Sequence, residues 1–464
     1  MPLRLTFHGG AGAVTGSNFL VEGTKGKVLI DCGLEQGRDF SEKRMYEPSA
    51  YDVSSIDALV ITHAHLDHIG RGPKLMREGF RGDIYMTLAT RDLTELMLRD
   101  SLSLLIREAQ ERGFPPLYKE EDVAAFMACV EVLPYRKERE IAPGITLTLR
   151  DTGHILGSAS VTLRAEDGTS LAITGDLGNS PSPYLPDAEP ITDVDALVME
   201  SVYGDRQHPD LAERVPQLRD TLNRAIKRRG AILMPAFSIE RTQLMLYELS
   251  NLMEAGEVPE IPVFLDSPLA IGVTEVYEKH AKEYFNTGAR EELKHEQSIF
   301  RFPFLTLTRS REESRNIDAV QGPKLIIAGA GMSHGGRIGR HEAKYLPDPS
   351  TTLLIVGYQA PGSPGRLLQD GAKNVRIDGR PVRVRAKVET LSAWSAHADR
   401  DGLLAFAQKA LPRAHTIFVA IGEPSSARFL AQRIHDYAGG KAVVPSLGDS
   451  WVIEKQRAVR EGHT

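Results

Sequence analysis

Apolar residues along this chain fall into short runs whose spacing changes character near residue 205. RLTFHGG (4–10) and SNFLVEG (17–23) predict strands flanking a glycine-rich loop. KVLIDCG (27–33) predicts an apolar strand that ends in an acid, and IDALVITHAHLDH (56–68) one that runs into histidines. Residues 91–112 carry helical apolar spacing. The segments 145–154 and 160–178 alternate as an antiparallel sheet does, with AEDGTS as a hairpin turn. Beyond an acid-ended strand at DALVMES (195–201) the rhythm becomes strand–helix: a helix over 211–230, a buried strand at AILMPAF, a helix over 238–256, then strands at IPVFLDSP, KLIIAGAG and TTLLIVGY. Strands alternating with helices predict a parallel sheet covered on both faces. The last eighty or so residues return to shorter strands, including VRVRAKVETLSAW and HTIFVAIGE, with one helix around 425–438 and a frayed tail over 455–464.

Length and composition narrow the picture. A chain of 464 residues allows two or three domains. Hydrophobic residues at 41% and charged residues at 25% are ordinary for a soluble protein, and 41 glycines with 27 prolines suit many turns. The formal charge of −6 argues against wholesale coating of nucleic acid but leaves room for a local basic groove. Cys32 and Cys129 are too few and too far apart for a disulfide framework, and they predict reduced thiols. With no secretory leader pattern and no membrane-length apolar run, the expectation is a cytoplasmic protein without a membrane partner.

The densest chemistry is THAHLDH, which places His63, His65, Asp67 and His68 within six residues directly after an apolar strand. Neutral imidazole together with carboxylate suits Zn²⁺ and similar borderline metals. An extended or turning backbone aims His63 and His65 at one ion, while Asp67 and His68 begin the next element. His154 in DTGHILGS, Asp176 in ITGDLG and Asp31 in LIDCG are further ligand types at strand ends.

Asp31, His63-x-His65-x-Asp67-His68, His154 and Asp176 resemble the successive motifs of the metallo-β-lactamase superfamily. The resemblance implies an α/β fold, an αββα sandwich with metals at one edge. It implies His63, His65 and His154 on one ion, Asp67 and His68 on a second, Asp176 bridging them, and Asp31 orienting ligands without binding. VMESVYGDR (198–206), ILMPAFSIERTQ (232–243), FLDSPLA (264–270), GAGMSHGGRIGRH (329–341) and SAHAD (395–399) are similar to the β-CASP branch, which contains RNA-processing nucleases. In that branch a second α/β domain is inserted into the first. The boundaries expected here are 1–204 and 386–464 for the hydrolase and 205–385 for the parallel-sheet insertion.

The same resemblance assigns Asp67, Glu200 and His397 to catalysis. It implies that a bound metal would supply hydroxide to attack phosphorus and that His397, paired with Glu200, would protonate the departing ribose oxygen. The expected substrate is single-stranded RNA, cut endonucleolytically, exonucleolytically from the 5′ end, or both, and a homodimer is a further expectation. The loop GMSHGGR reads as a phosphate cradle, with Ser333, Gly335 and Gly336 offering close backbone approach and Arg337 a clamp.

Two residues depart from the family pattern. Ile421 in FVAIGE stands where a histidine commonly completes the second metal's ligands. One or two zinc ions are therefore expected, with the second site weakened. Glu240 stands where glycine is common. Ile421 keeps alternatives open: a non-catalytic or weakly active RNA-binding scaffold, a DNA nuclease, or a small-molecule metallo-hydrolase.

Overall fold

A computed structural model describes residues 2–35, 45–113, 115–411, 413–455 and 457–461. The chain divides into two units, Met1–Gln207 with His397–Thr464, and His208–Ala396.

The first unit is built on two sheets. One is eight-stranded, in the order Arg457–Arg460, Ser450–Glu454, Leu3–Phe7, Phe19–Glu22, Lys27–Ile30, Ala58–Val60, Asp83–Met86, Val130–Val132. The other is seven-stranded, in the order Ala442–Val443, Thr416–Val419, Ala196–Met199, Ser170–Ile173, Ala159–Ala165, Ile145–Asp151, Glu138–Ala142. Side chains alternate across a strand, and here both faces are apolar. Val28 and Ile30 join a core with Leu147, Val161 and Phe418 of the opposite sheet. Leu29 between them turns outward to Leu98, Leu102 and Phe126 of the helices Leu88–Arg112 and Glu120–Ala128. In the second sheet Phe418 points inward, while Ile417 and Val419 meet Leu403 and Leu430 of the helices Arg400–Ala410 and Pro424–Arg433. The result is the helix–sheet–sheet–helix sandwich expected from the motifs. Burying each such side chain contributes roughly 1.5–3 kcal/mol.

Strand direction gathers the chemistry. Lys27–Ile30 and Ala58–Val60 are parallel, so Asp31 and the THAH segment leave the sheet at the same end. Ser170–Ile173, Ala196–Met199 and Thr416–Val419 are also mutually parallel, which brings Asp176, Glu200 and Ile421 to one end. Ile145–Asp151 runs the same way, through two antiparallel pairings, and delivers His154 there.

Asp151, at the end of that strand, is 8% exposed, and burial pushes its carboxyl up to about 7. The folded state therefore holds a proton that the unfolded chain releases near pH 4, so this group's stabilisation is lost as pH rises from about 4 to 7. Asp151→Asn should flatten that slope, worth up to about 1.4 kcal/mol per pH unit, while its amide oxygen keeps the 2.8 Å bond from Gly153 N. Denaturant melts of parent and variant at pH 5 and 8 check this.

The second unit holds a six-stranded sheet in the order Leu305–Leu307, Val263–Leu265, Lys324–Ala328, Ala231–Pro235, Thr352–Ile355, Lys387–Thr390. Every pairing is parallel. Ala231–Pro235 and Lys324–Ala328 are buried at all positions, as a sheet covered on both faces requires. Lys387–Thr390 pairs with Thr352–Ile355, so the second unit extends past the expected boundary at 385. Val382 and Arg383 of VRVR, expected with the final segment, end the strand Arg380–Arg383, which forms a hairpin with Asn374–Ile377.

The tail also differs from expectation. Arg457–Arg460 is not frayed but pairs antiparallel with Ser450–Glu454, burying Ala458. Its alternation was hidden among charges. Residues 456 and 462–464 of that tail lie outside the described residues.

Candidate metal centre

The site is assembled in the first unit, beginning with Asp31. This residue has φ of 57° and is fully buried. Its carboxylate accepts from Thr62 N at 2.9 Å, and from Thr62 Oγ1 and Ser17 Oγ at 3.0 Å. His68 Nδ1 lies 2.7 Å from Asp31 Oδ2, so Asp31 fixes the ring and directs Nε2 the other way. Gly33 makes the arrangement possible, because a Cβ there would lie 1.5 Å from the Asp67 carbonyl oxygen.

His63 Nε2, His65 Nδ1, His154 Nε2 and a carboxylate oxygen of Asp176 lie within 4.8 Å of one another. His65 Nδ1 is 3.1 Å from His63 Nε2 and 3.2 Å from His154 Nε2. Asp176 Oδ2 is 3.3 Å from His63 Nε2 and 3.4 Å from His154 Nε2, while Oδ1 faces His68 Nε2 at 3.5 Å. Both His68 Nε2 and Asp176 Oδ1 are buried without a hydrogen-bond partner among the described residues. Buried polar atoms left so are costly, and a bound cation would satisfy both. Asp67 opens the short helix Leu66–Ile69, beside this group but outside it.

Electrostatics prepare the same donors. Burial, then the charge of His68, lowers His63, and burial followed by His63 puts His65 well below the usual imidazole range. Burial, then His397, does the same to His154. These rings are neutral, as ligation requires. Burial works against the Asp176 carboxylate, but His68 and His63 outweigh it and hold its pKa well below the ordinary value. Burial pushes Asp67 up.

A second group adjoins the first through Asp176: Asp176, Glu200 and His397 again bring their atoms within 4.8 Å. His397 Nδ1 is 3.3 Å from Glu200 Oε1 and 3.9 Å from Asp176 Oδ2. Leu177 N donates to Glu200 Oε1 at 2.7 Å, and a β-bridge between Gly178 and His397 sets the histidine beside that loop. Burial lowers His397, but Glu200 and Asp176 outweigh it, raising its pKa to about 9.

Family models match in order along the chain: the metallo-beta-lactamase superfamily at 11–236, the Beta-Casp domain at 242–368, and the Zn-dependent metallo-hydrolase RNA specificity domain at 381–445. Ribonuclease TTHA0252 of Thermus thermophilus is 36% identical over 88% of this chain and 91% of its own. The chain belongs to the β-CASP branch of the metallo-β-lactamase superfamily. The RNase J-like protein of Methanocaldococcus jannaschii is 32% identical over 90% of this chain and 92% of its own. Transcription termination factor FttA of Thermococcus kodakarensis is 34% identical over 97% of this chain and 71% of its own. A protein of unknown function from Enterococcus faecalis V583 shares the fold, with a TM-score of 0.57 at 13% identity, covering 97% of this chain and all of that one (100%).

Within this β-CASP chain, the two departures from the family pattern both have positive φ. Ile421 has φ of 44°, donates its N–H to Gly10 O at 2.6 Å and packs into the inter-sheet core, its side chain offering no ligand atom. Glu240 has φ of 63°, which explains why glycine suits the position, and it accepts from Tyr277 OH at 2.8 Å. The cradle residues belong to the second unit. Ser333 Oγ donates to Glu342 Oε1 at 2.5 Å, and Gly335 and Gly336 have φ of 78° and 70°. Arg337, expected to clamp phosphate, donates to Asp266 Oδ1 at 2.6 Å and to the carbonyls of Thr308 and Arg309. Asp266 has no exposed surface and also accepts from Thr308, Ser314 and His341, so Arg337 closes a buried carboxylate network. The sequence reading missed Asp266 because its donors come from distant segments. It also missed Thr62, Ser17 and Gly33, although the threonine inside THAH was a usable signal.

Asp31→Asn offers one local test. An amide has one acceptor oxygen where Asp31 has two, and it presents an NH₂ where donors converge. Metal affinity should fall about 10- to 100-fold, measured by competition with a chromophoric chelator.

Proposed function

We propose that this protein is a zinc-dependent ribonuclease that hydrolyses phosphodiester bonds of single-stranded RNA. The observation carrying the proposal is that Asp176 joins two groups, the His63–His65–His154 cluster and the Glu200–His397 pair. Three neutral imidazoles with one carboxylate match zinc's preference for nitrogen and oxygen donors. His63, His65, His154 and Asp176 would hold the first ion. Asp67, His68 and Asp176 would hold a second, more weakly, since Ile421 adds nothing. A bound ion supplies a nucleophile from water at neutral pH and neutralises charge on the phosphoryl oxygens. Asp31 holds His68 in the tautomer that keeps Nε2 for binding. Glu200 accepts from His397 Nδ1, leaving Nε2 to pass its proton to the departing ribose oxygen, as a protonated ring can do at pH 7. Among the described residues no helix is long and apolar enough to cross a membrane, and none of this chemistry needs one.

The relatives named a ribonuclease and an RNase J-like protein, and the RNA specificity model, favour RNA. The direct test compares end-labelled single-stranded RNA with DNA of the same sequence, incubated with zinc-supplemented protein. Cleavage confined to RNA is expected, and the fragment sizes report endonucleolytic or exonucleolytic mode. Equal cutting of both polymers widens the substrate class, and intact polymers with metal-loaded protein overturn the proposal.

A further inference from the structure

The second unit carries an aromatic surface that its fold alone does not explain. Phe237 is 37% exposed and Tyr358 is 62% exposed, though large apolar rings are ordinarily covered. Both follow strands of the parallel sheet at its carboxyl end: Phe237 follows Ala231–Pro235, and Tyr358 follows Thr352–Ile355. The sheet order makes this end special. After Ala231–Pro235 the chain crosses to Val263–Leu265, beyond Lys324–Ala328. After Lys324–Ala328 it crosses the opposite way, to Thr352–Ile355. Between Ala231–Pro235 and Lys324–Ala328 the connections diverge, and in open α/β sheets ligands bind at such switch points.

The Phe237 ring is mounted rather than loose. A Cβ on Gly331 would lie 2.8 Å from Phe237 Cδ2, and one on Gly357 would lie 3.1 Å from Cε2, so the Phe237 ring rests on two bare backbones. Thr242 Oγ1 donates to Phe237 O at 2.8 Å. Gln359 is 3% exposed and ties the neighbouring loops together, its Nε2 donating to Gly331 O at 2.9 Å and Gly357 O at 3.2 Å. A buried amide thus locks the loops beneath an exposed ring.

We propose that Phe237 and Tyr358 form a stacking platform for unpaired bases of the RNA strand, an inference that rests on the ribonuclease reading above. A planar base needs a rigid ring face, and each stacked base contributes without regard to sequence. Two rings on rigid loops cannot supply the roughly 1,200–2,000 Å² that a stable protein partner buries. The platform binds strand rather than cutting it, and it favours single-stranded over paired RNA because paired bases have no face to offer.

The test uses metal-loaded full-length protein and a fluorescein-labelled oligoribonucleotide with phosphorothioate linkages, which slow cleavage during fluorescence-anisotropy titration. Phe237→Leu and Tyr358→Ala should each weaken binding roughly 5- to 150-fold. Tyr358 is exposed, so its variant keeps the test open should Phe237→Leu fail to fold. A strand of abasic ribose units should bind parent and variants alike, because it has nothing to stack. Variants that bind normal RNA as tightly as the parent, or that lose equally on the abasic strand, overturn the platform while leaving the ribonuclease reading intact. A parent that binds no RNA overturns both.

Discussion

Replacing His63 and His65 together with alanine should strip the first metal site and leave RNA cleavage below about a thousandth of the parent, since no bound ion would then acidify water toward neutral pH. Each ring supplies one of the clustered nitrogens, and the two are 3.1 Å apart at their facing atoms. Ile421, at the family's other histidine position, is 1% exposed in the core and has no ligand atom to put in their place. Zinc per chain, measured by elemental analysis after dialysis, should fall from at least one ion to a small fraction. A folded variant that keeps its zinc or its activity would show that catalysis lies elsewhere.

His397→Ala tests the other half of the site. Loss of a general acid should cost roughly 10²–10⁴-fold on RNA, whose ribose leaving oxygen needs a proton, and less than about tenfold on an aryl phosphodiester, whose phenolate does not. Metal content should be unchanged. The pH profile gives a second readout. Burial alone would lower this imidazole, and Glu200 instead raises it to about 9. Activity that needs its proton is therefore present below that value and lost as pH rises through about 9. Glu200→Gln removes the larger of the charges that oppose burial, so the alkaline limb should move to lower pH. Equal losses on both substrates would rule out proton donation by His397.

Much of the first unit was legible because strand and ligand shared a local pattern. THAHLDH follows an apolar strand, and His154, Asp176 and Glu200 each follow one too. The strand alternation of 145–154, with every second residue buried, survives in the structure as Ile145–Asp151. The parallel sheet of the second unit was likewise visible in fully apolar runs such as AILMP and KLIIA. The tail strand Arg457–Arg460 was not, since it carries an exposed charge at each end and acquires its pairing only from Ser450–Glu454.

Arg337 shows the limit of motif reading most clearly. A glycine-rich loop ending in arginine reads as an anion site, and nothing in that loop tells that its guanidinium also pairs with Asp266, 71 positions away in the chain. A buried carboxylate needs donors wherever they can be found, and sequence spacing does not reveal which arginine answers. Phe237 was equally opaque: only the meeting of its loop with Gly331 and Gly357 leaves that ring exposed on a rigid seat.

The sequence by itself determined the ligand types, their placement at strand ends and the two rhythms of apolar spacing, because these depend on residues near one another along the chain. The tertiary structure decided which oxygen of Asp176 faces which imidazole, that Asp31 holds His68, that Glu200 raises His397, and that Arg337 pairs with Asp266. These depend on strands whose direction and order bring distant carboxylates within a few ångströms of rings, where burial makes each charge decisive.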